Sequence, residues 1–177
     1  MEKSLKSQAI NYGVYLGICL SLLFFFAYIS DLNLFVNFWY GISIYLIAII
    51  FGAIAILKTK IRLHGFLSFK NCFSLYFLTV LIGLTISSML SYIIFNFFDT
   101  DSAEVLKEKS IEKMVEVLEQ MKKPSEEIEA TVDAAKSNNL YSISNVFKGL
   151  NFNYLVPLSI IGLLLSAALQ KNNPNQA

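Results

Sequence analysis

The sequence predicts an all-α, polytopic membrane protein with four transmembrane helices and an extramembrane helical hairpin between the third and the fourth. Three observations lead there. Of the 177 residues, 55% are hydrophobic and only 15% are charged, against roughly a quarter charged in an ordinary soluble chain. Four stretches, residues 10–29, 37–57, 72–98 and 150–169, contain no Asp, Glu, Lys, Arg or His. Each reaches the about 20 residues that a helix needs to cross a hydrocarbon core of roughly 30 Å. The charged residues gather between these stretches, most densely after the third.

The first stretch follows Lys3 and Lys6, as a secretory signal would. It is too long for the apolar core of a signal, and no small-x-small cleavage pattern follows, so it reads as a retained first span. The connection 30–36 is short, which makes the first two spans antiparallel neighbours. Trp39 and Tyr40 begin the second span, where amphipathic rings favour the membrane interface. Within that span Phe38, Ile42, Leu46, Ile50 and Ile54 are among residues that each favour insertion by about 0.3–0.6 kcal/mol, with no charge opposing them.

The second connection carries Lys58, Lys60, Arg62 and Lys70 without an acidic residue, whereas the first has no basic residue. The positive-inside rule then puts the second connection and both termini in the cytoplasm. The third span is long if its apolar character is counted from Phe66, which implies tilt or a surface lead-in. The basic loop, including His64, is expected to fix topology and to touch anionic lipid headgroups.

Residues 99–145 break with this composition. Asp101 and Glu104 suit a helix start, as a cap and a first-turn carboxylate. Ile111, Met114, Leu118 and Met121 recur at steps of three and four and form one apolar stripe. Lys123-Pro124-Ser125 interrupts the pattern. A second helix begins near Ser125, with Glu126 and Glu127 at its amino end and Ile128, Val132 and Ala135 on one face, and ends at Asn138-Asn139. The chain therefore reads as one membrane domain, 1–177, with a helical hairpin outside the membrane at 99–145. Ile143, Val146, Phe147 and Leu150 have helical spacing and form either an interfacial elbow or the start of the fourth span, near whose first turns Pro157 falls.

Small residues mark the packing faces. Gly13, Gly17 and Ser21 repeat every four residues, as do Thr79, Gly83, Ser87 and Ser91, and Gly162 with Ser166. Such stripes let helix backbones approach closely where lipid gives no hydrophobic drive to associate. They serve packing within one bundle or between copies. No ionisable side chain lies inside a span, which argues against a proton relay or voltage sensor. One histidine cannot form a metal pair, Cys19 and Cys72 lack CxxC spacing, and Glu104, Glu108, Glu112 and Glu116 lack a calcium-binding loop. No catalytic, cofactor or metal site is expected. A net charge of +1 gives no reason to expect nucleic acid as a partner.

Several segments together carry a resemblance. They are Gly13-x-x-x-Gly17, the run Arg62-Leu63-His64-Gly65-Phe66-Leu67-Ser68-Phe69, the charged helix before Lys123-Pro124-Ser125-Glu126-Glu127, and Gly162-Leu163-Leu164-Leu165-Ser166-Ala167-Ala168 before Lys171 and Pro174. On these the chain resembles a bacterial membrane family of unassigned role, domain of unknown function 4199 (DUF4199). The resemblance implies a Gram-negative inner membrane, which makes the 99–145 hairpin periplasmic, and supplies no site residue. The expected function is that of a non-enzymatic accessory or interaction subunit, with the bilayer and a membrane-protein partner or a second copy as its contacts and Ile111, Met114, Leu118 and Met121 as the candidate partner surface. The alternative is a small oligomeric transporter or channel.

Overall fold

A computed structural model of the chain describes residues 2–137, 139 and 141–171. Among them are seven α-helices and no strand: α1 (Glu2–Ser30), α2 (Phe38–Arg62), α3 (Phe69–Ile93), α4 (Thr100–Gln120), α5 (Ser125–Ser137), α6 (Ile143–Lys148) and α7 (Val156–Leu169). A 3-10 turn, Leu32–Val36, joins α1 to α2; π-helical turns continue α3 through Ile94–Phe98 and lead into α7 over Gly149–Leu155. Four segments are long and apolar enough to cross a bilayer: Ser4–Ser30, Phe38–Arg62, Phe69–Phe98 and Phe152–Leu169. The chain is a multi-pass membrane protein.

Side-chain size, rather than polarity, separates the faces of these helices. On α1, Ile10, Val14, Ile18, Leu22 and Phe26 step outward every four residues, with Leu22 and Phe26 each 65% exposed. The opposite face buries Ala9, Leu16, Leu20, Phe24 and Ala27, with Gly13 and Gly17 among them. Water would penalise so long a stripe of exposed large apolar side chains, whereas hydrocarbon does not.

The most extensive helix pairing is between α1 and α3. A methyl group added at Gly13 would lie 2.7 Å from Ile82 Cβ, and one at Gly17 would lie 2.8 Å from Ile86 Cβ. Gly83 on α3 receives Leu16 of α1 in the same way. Two turns earlier on α3, the fully buried Tyr76 ring lies between Gly52 of α2 and Gly162 of α7, each glycine facing a different edge. The three spans therefore meet around one aromatic wedge.

Backbone hydrogen bonds join the basic connection to the end of α7. Leu67 and Lys171 form an antiparallel bridge through N–H to carbonyl bonds of 2.8 and 2.9 Å. Lys60 Nζ donates to the Leu169 carbonyl at 2.6 Å, placing a cation where the helix dipole is negative. His64 and Gly65 take φ values of 56° and 89° and turn the chain after α2; Gly65 accommodates this without a Cβ penalty.

One sequence-based boundary needs correction, and a second, left open by the sequence, is decided. The helix expected to start at Asp101 is capped by Asp99, whose Oδ1 accepts from the Ser102 amide at 2.9 Å, leaving Asp101 in the first turn. An N-cap side chain accepts from an amide two or three residues on, and the aromatic run ending at Phe98 concealed Asp99 as that acceptor. The fourth span is not a regular helix from residue 150. A helical path enters from α6 through the π turn and becomes α7 only at Val156. Pro157 explains the widening, because it has no N–H for the Asn153 carbonyl and its ring crowds that oxygen. The Tyr45 hydroxyl donates to the Asn153 carbonyl instead. Asn138 and Pro174 lie outside the described residues.

Helix α4 ends in a Schellman turn. The amides of Lys122 and Lys123 donate back to the carbonyls of Glu119 and Leu118 at 2.9 and 3.1 Å. Lys122 has φ 56°, a left-handed position usually given to glycine. The turn folds α5 back onto α4, where Lys107 Nζ donates to the Lys136 carbonyl at 2.5 Å.

Candidate functional site

All four spans and α4 contribute to one cavity. It has a volume of about 260 Å³ and lies at the end of the bundle nearest α4. Leu20 and Phe24 come from α1, Tyr40 and Ile44 from α2, and Leu84, Ser87, Ser88 and Ser91 from α3. Phe95 comes from the π turn, Leu106 and Ser110 from α4, and Tyr141 and Tyr154 from the segment before α7. Among the described residues the lining has no Asp, Glu, Lys, Arg, His or Cys side chain. Its polar groups are hydroxyls: serines on one helix face, and phenols from three separate elements.

An aromatic cluster closes this end. Phe24, Phe95 and Leu106 are buried together. Ring centroids lie 5.2 Å apart for Phe24 and Phe35, 5.6 Å for Phe24 and Phe95, and 4.5 Å for Phe95 and Tyr141, all within the range for favourable aromatic pairs. Asn96 Nδ2 donates to the Tyr141 carbonyl at 3.0 Å and to the Tyr92 carbonyl at 2.8 Å, tying Tyr141 to the π turn. Burial, and then the neighbouring Tyr40 phenol, push the Tyr141 hydroxyl far above its ordinary pKa. It therefore stays protonated and can donate a hydrogen bond.

Two polar contacts fix α4 over the cavity. The Tyr28 hydroxyl donates to Asp99 Oδ2, and Lys109 Nζ donates to Asn33 Oδ1 at 2.7 Å. Hydrogen bonds from the Ser102 hydroxyl, the Tyr28 phenol and the Ser102 amide hold the Asp99 carboxyl below its usual range. The Asn33 amide, followed by the Asn33 side chain, does the same for Asp31 at the cap of the first connection. A lowered folded-state pKa adds stability above the unfolded value of about 3.9 and loses it as pH falls through the folded value. The α4 contact is therefore expected to weaken below about pH 4. Asp99→Asn should flatten that acid limb while keeping the cap, and Asp99→Ala should in addition lower stability at neutral pH by roughly 1 kcal/mol through the lost cap. A pH series of thermal melts in detergent, with wild type and both variants compared, measures both effects.

The small-residue stripes serve different surroundings along their length. Gly13, Gly17 and Gly83 sit in the α1–α3 contact, Gly162 faces Tyr76, and Ser21 is half-buried. Thr79 is buried and its hydroxyl reaches the Ala9 carbonyl at 3.5 Å. Ser87 and Ser91 line the cavity instead of closing a helix contact, and Ser166 is fully buried beside the main core. On α4, Ile111, Met114 and Leu118 are half-buried and Met121 is 63% exposed, while no residue of α5 is buried. Glu104, Glu108, Glu112 and Glu116 are all exposed. Among the described residues no group of three or more His, Cys, Asp or Glu side chains is placed to hold a metal. Tyr28, Tyr76, Phe95 and Tyr141 were not singled out by sequence reasoning; the abrupt change from aromatic to acidic residues at Asp99 was the available signal for the first of them.

A family model described as "Protein of unknown function (DUF4199)" matches residues 11–171. The chain belongs to the DUF4199 family. The match covers all or most of each of the four apolar segments and every residue that lines the cavity, so the site is built within the part of the chain shared with that family. No curated protein and no solved structure matches the chain.

Proposed function

We propose that this DUF4199 protein is a non-enzymatic interaction subunit of the bacterial inner membrane, with both termini in the cytoplasm and α4–α5 as a periplasmic hairpin. The observation that carries the reading is the difference between the two ends of that hairpin. Its base is anchored by Tyr28–Asp99, Lys109–Asn33 and the buried Leu106. Its far end leaves Val117 and Met121 exposed, at 43% and 63%. A fixed base with an apolar tip suits presentation of a helix face to a partner. The orientation rests on Lys58, Lys60, Arg62, Lys70 and Lys171 collecting at the opposite end of the bundle. Reporter fusions after Arg62 should report cytoplasm and fusions after Ser137 periplasm; the opposite pattern overturns the orientation.

Affinity purification in mild detergent followed by mass spectrometry tests the interaction role. A stoichiometric membrane-protein partner is expected, and Leu118→Asp should abolish its recovery. Because Leu118 is only half-buried, the variant should lose no more than about 1 kcal/mol of stability. Full recovery of the partner by a folded Leu118→Asp protein removes this stripe as the contact. The cavity favours a second reading, a small oligomeric transporter or channel, which predicts a homo-oligomer without a stoichiometric partner.

A further inference from the structure

A second cavity, of about 350 Å³, adjoins the first at the base of α4. Asn96, Thr100, Glu104, Lys107 and Asn139 contribute to it, so this vestibule is polar and carries charge of both signs. The chamber described above has hydroxyls but, among the described residues, no acidic or basic side chain. Both cavities are lined by Phe95 and Tyr141, whose ring centroids are 4.5 Å apart. The pair thus stands between a cavity lined by charge of both signs and one whose described lining carries none.

We propose that vestibule and chamber form one ligand path, with Phe95 and Tyr141 as its gate and an uncharged, ring-bearing molecule with a hydroxyl or carbonyl group as its ligand. This inference is independent of the interaction role proposed for the hairpin. Size sets the first limit: a dry engineered cavity of about 150 Å³ takes benzene, so 260 Å³ admits a larger ring system but not a whole phospholipid. Chemistry sets the second. Bringing a charge into a chamber with no counter-charge is costly, whereas a hydroxyl or carbonyl can pair with the Ser87, Ser88, Tyr40 or Tyr154 hydroxyls. A purely aliphatic chain would leave those groups unused.

Phe95 sits in the π turn Ile94–Phe98, an irregularity frequent at functional sites. Asn96 of the same turn donates to the Tyr141 carbonyl, so one element holds both gate residues. Removing the Tyr141 ring should therefore speed entry without removing the chamber.

The probe is 2-naphthol, an uncharged two-ring phenol, with naphthalene-2-sulfonate as its charged counterpart. Equilibrium binding of both to the full-length protein in nanodiscs tests the ligand class. Saturable binding of 2-naphthol, at least about tenfold tighter than that of the sulfonate, is expected. Ser87→Leu and Ile44→Phe, which fill the chamber from different helices, should each weaken binding about tenfold while the melting temperature is retained. Tyr141→Ala, which removes the gate ring, should raise the association rate at least about fivefold. If both fillers fail to fold, Ser87→Cys decides: 2-naphthol should slow its labelling by N-ethylmaleimide, read at that residue by peptide mass spectrometry. The proposal is overturned by absence of saturable 2-naphthol binding, by equal binding of the sulfonate, or by folded fillers that bind like wild type. Unprotected labelling at residue 87, a Tyr141→Ala association rate equal to wild type, or a co-purified lipid that 2-naphthol does not displace also overturns it.

Discussion

Tyr76→Ala is expected to cost about 3–5 kcal/mol of stability, the range for truncating a large buried aromatic side chain. The ring is 0% exposed and fills the space between Gly52 and Gly162, so its removal leaves α2, α3 and α7 without their shared contact. Tyr76→Phe should have the opposite sign. The Tyr76 hydroxyl is buried without a hydrogen-bond partner among the described residues. Replacing it with a hydrogen atom removes a desolvation penalty of about 1–3 kcal/mol. Thermal melts of the two variants in one detergent measure both effects. A Tyr76→Phe protein less stable than wild type would show that the hydroxyl is hydrogen-bonded.

Gly83→Leu is expected to destabilise the bundle by about 3 kcal/mol, the upper end of the usual range for overpacking a close contact. An added Cβ at Gly83 already overlaps Leu16, and Leu16 is 0% exposed, so it has nowhere to turn. The α1–α3 pair, the most extensive in the protein, must separate to admit the larger side chain. Gly41→Leu is the matched control: a Cβ there meets nothing within 4 Å, and its effect should stay within about 0.5 kcal/mol. Equal melting temperatures for the two variants would refute close packing at Gly83. Oligomer size measured alongside shows whether any contact between copies also depends on that face.

The sequence was most legible where one strong physical demand acts over many consecutive residues. Hydrocarbon requires long uncharged helices, so the four apolar segments could be read from the absence of Asp, Glu, Lys, Arg and His alone. The break at Lys123-Pro124-Ser125 was legible for a similar reason, because proline constrains the backbone locally. The cavity was not legible. Ser87 and Ser91 continue the four-residue step of Thr79 and Gly83, and nothing in that spacing distinguishes a serine that closes a helix contact from one that lines a space. The difference depends on what α4 and the segment before α7 place opposite them.

By itself the sequence determined the helical class, the number of apolar spans and the family, because length, composition and motif order are properties of one strand of chain. Tertiary structure alone decided which glycines admit a neighbour, that Asp99 both caps α4 and receives Tyr28, and that Phe95 and Tyr141 meet between two cavities. Tyr28 and Asp99 are 71 positions apart, and Phe95 and Tyr141 belong to separate elements. No periodicity links such pairs. They are brought together by the crossing and tilt of helices, set by side-chain volumes that fit only once all the spans have packed.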